Sequence, residues 1–228
     1  PKKLKKFTPP KNKKNIVNFE KKFISLINES KKPLIVLGHG INLSKTHKQV
    51  KQFIKKTGIP FSPSWATIDL FNYNHKLNAG TFGVAATRYG NFAIQNSDLL
   101  ISFGCRLNTQ ITGSNIKSFA PKAKKIIIDI DVNEFKKNNG LKIDLKIHMD
   151  LKSFFKKINP HLENQKNYER WIDNFAKWKK NYPITRNSYF NQKKNNNPYV
   201  FMKKLSDKTG KKDVLIPDAS ANLIWAMQ

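Results

Sequence analysis

The stretch LLISFGCRLNTQITG, residues 99–113, decides the fold. Leu99–Phe103 is an apolar run that ends at Gly104; Arg106 follows, then a polar loop, then Gly113. A run too short for a buried helix and closed by glycine predicts a buried strand that opens into a loop. Such an end can hold a ligand or simply stop a strand, and on this segment alone both readings stand.

The pattern repeats on either side. KKPLIVLGHG (31–40) predicts a strand at Leu34–Leu37 closed by Gly38 and Gly40. IPFSPSW (59–65), KIIIDID (125–131) and residues 143–148 predict three more. Between them lie segments of helical spacing. Ile16, Phe19, Phe23, Leu26 and Ile27 share one face of 16–29. Val50, Phe53 and Ile54 share one face of 46–57, with Gly58 as the stop. Helices are also expected at 84–96, 133–139 and 151–158. Continuous apolar strands alternating with helices predict an α/β fold with a doubly wound parallel sheet over 16–158. In such sheets ligands lie beyond the carboxyl ends of the strands.

The flanks differ in character. Residues 1–15 are rich in Lys, Pro and Asn and read as a linker. Residues 159–197 read as a helical connector, with Trp171, Phe175 and Trp178 at helical spacing. In 198–228 a helix (PYVFMKKLSDKTG), a strand (DVLIPD, 213–218) and the opening of another helix (ANLIWAMQ) predict the first βα unit of a second, truncated α/β domain. The sequence reads as cut at both ends.

Composition narrows the function. The 228 residues carry a formal net charge of +28, but of the 43 basic residues only Arg88, Arg106, Arg170 and Arg186 are arginine. The lysines are spread over the whole chain and, with abundant Asn, Ile and Phe, match the output of A/T-rich codons. A nucleic-acid surface clusters its charge and uses arginine, so no nucleic-acid partner is expected. No apolar run is long enough to cross a membrane, and no signal peptide is read at the N-terminus. The single cysteine, Cys105, excludes an internal disulfide and a multi-cysteine zinc site. A cytoplasmic setting is expected.

Several motifs could carry chemistry. Gly38, His39 and Gly40 follow a strand as in a dinucleotide fingerprint, with Leu43 in place of the third glycine. The reading is divided between a phosphate approach and a tight turn. Gly80, Thr81, Phe82 and Gly83 precede a helix, where an anion can bind or an ordinary loop can pass. Asp129 and Asp131 end a strand; an acid there meets a ribose hydroxyl or caps the next helix. Asp150 stands directly before the helix at Leu151 and reads as a cap first. Ser220, Ala221 and Asn222 form a turn whose amides suit a diphosphate or a capped helix. The histidines at 39, 47, 75, 148 and 161 show no metal spacing, and only His39 lies in a glycine turn. A Gly-x-Ser-x-Gly elbow and a Walker loop are absent from the sequence.

Taken in order, KKPLIVLGHG, GTFGVAATRYGNFAIQNSDLLISFGCRLNTQITG, FAPKAKKIIIDIDVNEF and YVFMKKLSDKTGKKDVLIPDASANLIWAMQ resemble thiamine-diphosphate enzymes of the acetolactate synthase type. The resemblance covers about residues 30–155 and 198–228. It implies a Rossmann-like central domain followed by the start of a C-terminal diphosphate-binding domain. It implies a carboligase or decarboxylase acting on a 2-keto acid such as pyruvate, with thiamine diphosphate and Mg²⁺ held mainly outside this chain. The family's catalytic glutamate and its Gly-Asp-Gly metal motif have no counterpart here, so the resemblance implies a piece that is inactive alone. The full enzyme is expected to be a homodimer or homotetramer.

The resemblance also implies FAD along the strand ends, at Gly38, Gly40, Gly80, Gly83, Gly104, Arg106, Asp129 and Asp150. His39 and Phe82 stand where the family often has other residues. The family's Arg-Phe-Asp-Asp-Arg run reads Arg106-Leu107-Asn108-Thr109-Gln110, and its Gly-Gln-His reads Ser220-Ala221-Asn222. These departures are similar to enzymes of surface-sugar biosynthesis, and they leave FAD and the product open. A non-catalytic basic nucleotide- or nucleic-acid-binding module is the alternative from another class.

Overall fold

The structure is a computed structural model that describes residues 18–136, 140–162, 166–192, 196–210 and 212–227. The expected linker and Ile16 lie outside the described residues. Helix α1 (Glu20–Glu29) buries Phe23, Leu26 and Ile27 and leads to strand β1 (Pro33–Leu37). A one-turn helix α2 (Gly40–Leu43) and α3 (His47–Thr57) follow. Gly58 ends α3 at φ +66°, in the left-handed conformation that glycine adopts without strain. Strand β2 (Phe61–Pro63) runs into a 3₁₀ segment, Trp65–Leu70.

Helix α4 occupies Arg88–Asn96 rather than 84–96, because the Thr87 hydroxyl accepts the Gly90 amide and fixes the start there. Strand β3 is Leu99–Phe103, as expected. A short α5 (Thr109–Thr112) precedes β4 (Lys124–Asp129) and β5 (Leu145–His148). The helix expected at 133–139 is a 3₁₀ turn over Val132–Phe135, with 137–139 outside the described residues. Helix α6 is Leu151–Ile158 and α7 is Glu169–Asn181. Helices α8 (Asn187–Phe190), α9 (Pro198–Lys208) and α10 (Ala221–Ala226) complete the order.

The strands form one parallel sheet in the order β2-β1-β3-β4-β5. From β1 the chain winds outward to β2, then crosses back to β3 on the other side of β1. Right-handed crossovers running in opposite directions place α3 and α4 on opposite faces. Around Phe103, Phe53 of α3 and Phe154 and Phe155 of α6 meet at ring separations between 5.2 and 5.9 Å, and Phe23 of α1 joins them. Helix α7 packs against α4 through Phe92 and Trp178, and its Trp171 indole N–H donates to the Pro33 carbonyl at 2.9 Å. The expected connector thus buries Trp171, Ile172 and Phe175 in the core.

The strand expected at 213–218 does not form. Val214, Leu215 and Ile216 are 82%, 53% and 86% exposed, and those residues pair with no strand of the sheet. Apolar β-branched character favours a strand only where a sheet supplies partners.

Candidate functional site

The winding direction reverses between β1 and β3, so the chain leaves the carboxyl ends of these adjacent strands in opposite directions and frames a crevice beyond them. A cleft of about 220 Å³ opens there. Of the residues expected at a ligand, Gly38, His39, Phe82, Gly83, Gly104 and Arg106 line it. Gly40 lies behind them against Gly104, and Thr81 is buried in the loop below. Gly80, Asp129, Asp150 and the Ser220–Asn222 turn are not among the lining residues. A larger hollow of about 560 Å³, between the turn at 30–32 and the start of α7, lies at the other end of β1. Its Lys31, Lys32, Lys166 and Arg170 are exposed cations away from the switch point.

The glycines serve backbone packing. A Cβ on Gly38 would stand 2.2 Å from the Cys105 Cα and the Gly104 carbonyl oxygen. The amides of Gly38, Gly40 and Gly104 donate to the carbonyls of Phe103, Gly104 and Ile128 at 3.0, 3.0 and 2.9 Å. Gly80 donates to Asn78 Oδ1 and Gly83 to Asn91 Oδ1, each at 2.9 Å. These contacts are those of a tight turn.

The acids are engaged in the same way. Asp129 accepts the Asp131 amide at 2.9 Å, and Asp131 caps the next turn through the Asn133 amide. Burial, and after it the nearby Glu134 and Asp131 charges, hold the Asp129 carboxyl above the usual range against the amide bond that lowers it. Asp150 caps α6 by accepting the amides of Lys152 and Ser153. Arg106 donates from Nε to Glu134 at 3.1 Å, and its side chain is 76% exposed, so a cation stands at the cleft mouth.

Three further parts complete the site; the first and the last escaped the sequence reading, whereas Asn108 and Gln110 of the second stand in the run that the resemblance places along the groove. Ser64, Trp65 and Ala66 line the cleft because β2 lies directly beside β1. Asn108, Gln110 and Ile111 close another wall; Asn108 caps α5, and the Gln110 carbonyl accepts the Val84 amide at 2.8 Å. The third is Lys179 of α7. Its Nζ donates to the Asn78 carbonyl at 2.7 Å and lies over the rings of Tyr73 and Tyr89, whose hydroxyls are 2.9 Å apart. Burial lowers the Lys179 pKa. A cation thereby pins the loop that carries Phe82 and Gly83. Its only signal in the sequence was a lysine within an aromatic helix.

The FAD implied by the resemblance does not fit this groove. The glycine amides that could cradle a diphosphate already bond to protein, and the acids that could hold a ribose, Asp129 and Asp150, do not line the cleft. The cleft is also smaller than the ~300–1,000 Å³ typical of ligand pockets. For thiamine diphosphate and Mg²⁺, the described residues offer less. Ser220, Ala221 and Asn222 are exposed, Ser220 has φ +93°, and no side-chain cap forms. Among the described residues no group of three His, Cys, Asp or Glu could hold a metal.

The family described as "Thiamine pyrophosphate enzyme, central domain" matches residues 21–158, from α1 through α6. The chain belongs to that family. Among curated relatives, the "Probable acetolactate synthase large subunit" of Methanococcus aeolicus is 34% identical over 171 residues, covering 70% of this chain and 28% of its own. "Acetolactate synthase 2, chloroplastic" of Nicotiana tabacum is 31% identical over 166 residues, 71% of this chain and 24% of its own. "Acetolactate synthase, chloroplastic" of Arabidopsis thaliana is 28% identical over 210 residues, 90% of this chain and 30% of its own. The chain therefore spans less than a third of the length of these relatives.

Proposed function

We propose that this chain is part of a thiamine-diphosphate-dependent carboligase or decarboxylase, a transferase or lyase of the acetolactate synthase kind, that acts on a 2-keto acid such as pyruvate. The observation that carries this reading is the family match over the whole parallel sheet, from α1 through α6. Alignment of 90% of the chain with a named acetolactate synthase extends the likeness past the sheet and supports the same reading.

On this reading residues 16–158 are the central domain, 159–197 a helical connector, and 198–228 the start of the diphosphate-binding domain. Thiamine diphosphate supplies carbanion stabilisation when bound, and it and Mg²⁺ are held mainly outside this chain. This chain contributes a rigid sheet, the Arg106 cation at the cleft mouth, and an α7 that ties loop 78–83 to the core. Alone it is inactive. The complete enzyme is a cytoplasmic homodimer or homotetramer. Among the described residues no helix is long and apolar enough to cross a membrane.

Titration of the full-length protein with thiamine diphosphate and Mg²⁺, followed by calorimetry, tests the reading. Saturable, Mg²⁺-dependent binding is expected; no binding to a folded protein would overturn it.

A further inference from the structure

We infer that the switch-point groove of this chain is closed to a flavin dinucleotide by its own backbone contacts, and not merely stripped of flavin-contacting charges. The inference rests on the proposed family function only in that FAD is the ligand the family implies.

The contacts come from three directions. From β1 and β3, Gly38 and Gly40 press against Gly104 and Cys105, so closely that a Cβ on Gly40 would lie 2.8 Å from the Gly104 Cα. Their amides point into protein carbonyls. From below, Gly83 is held at both ends by Asn91, whose side chain accepts from the Gly83 amide at 2.9 Å and donates to its carbonyl at 2.8 Å. From the side, α5 is locked by its Asn108 cap and by the Val84–Gln110 bond, which joins the loop after Gly83 to the β3 loop. The glycine amides of these turns are therefore not open to a flavin diphosphate. A ribose would need an acid at the groove, and neither Asp129 nor Asp150 is among the residues that line the cleft.

The test uses the full-length protein purified without added flavin. Denaturation should release no flavin, and titration with FAD or FMN should give no saturable change in flavin fluorescence anisotropy. Turnover of a 2-keto acid should be the same with and without FAD. One flavin per chain, or turnover that requires FAD, would overturn the inference. A protein that neither binds flavin nor turns over any 2-keto acid would count against the proposed function while supporting the closed groove. A triple variant, Asn108→Asp, Thr109→Asp and Gln110→Arg, separates closure from missing charge. Its melting profile shows whether it is folded. It should still bind no flavin, and a gain of saturable FAD binding would show that charge, not closure, excludes the cofactor. Should the triple variant fail to fold, Gln110→Arg alone answers the same question.

Discussion

Gly40 and Gly104 lie in backbone contact across the sheet's switch point: a Cβ on either would come within 2.8 Å of the other's Cα. The Gly40 amide donates to the Gly104 carbonyl at 3.0 Å. The two loops that would frame a ligand are thus clasped to each other, and the glycines are needed for that clasp whether or not a ligand binds.

The clasp predicts unequal costs for glycine replacements. Gly38→Ala forces a Cβ to 2.2 Å from backbone atoms that have no room to yield, and should destabilise by about 3 kcal/mol or more. Gly113 has φ +78° and ψ +172° and nothing within 4 Å of its Cβ position, so Gly113→Ala should cost only the backbone strain, about 1–3 kcal/mol. Urea unfolding of both variants checks the order; equal costs would contradict the clasp.

Lys179 is predicted to hold the cleft loop. Lys179→Met keeps the stem but leaves the buried Asn78 carbonyl without its 2.7 Å partner. Stability should fall by about 1–2 kcal/mol. Amide exchange at Gly80 and Gly83 should quicken more than exchange in β3, while Lys179→Arg should restore part of the protection. Unchanged loop exchange in the methionine variant would show that α7 does not position the loop.

Asp129 predicts a slope in stability at acid pH. Burial raises its pKa above 3.8 in the folded state, so the folded chain binds the proton more tightly than the unfolded one. Stability from this group falls as pH rises from about 3.8 through the raised value and then levels off. Asp129→Asn, whose side-chain carbonyl can still accept the Asp131 amide, should remove that fall and be the more stable protein at neutral pH. Denaturation midpoints across this range check it, and parallel curves for the two proteins would contradict it.

Asp98 ties the strand β3 entry to the α1–β1 turn by accepting the Ser30 hydroxyl and the amides of Lys31 and Lys32. Asp98→Ala leaves three donors without this acceptor and should cost about 2 kcal/mol. Asp98→Asn, which retains one acceptor oxygen, should cost less. A neutral alanine variant would mean that solvent satisfies the turn.

The strands were legible because a two-face-buried parallel sheet writes itself as continuous apolar runs, and Leu99–Phe103 ends where the sequence placed it; helix Leu151–Ile158 does so as well. Asp131 and Asp150 were legible as caps because a cap acts on the residues next to it. The clasp of Gly38 on Cys105, the wall made by Trp65 and the Lys179 contact were not legible. Each joins segments far apart in the chain, and no local pattern records such a pairing. The run Val214–Ile216 misled because strand character is half a statement about neighbours, which the sheet does not supply there.

The most direct test of the central claim is release of CO₂ from carboxyl-labelled pyruvate by the full-length protein. The proposed function predicts release that requires both thiamine diphosphate and Mg²⁺ and is accompanied by a new carbon–carbon-bonded or aldehyde product. A folded full-length protein that releases no CO₂ from pyruvate or other 2-keto acids with both cofactors present would contradict it.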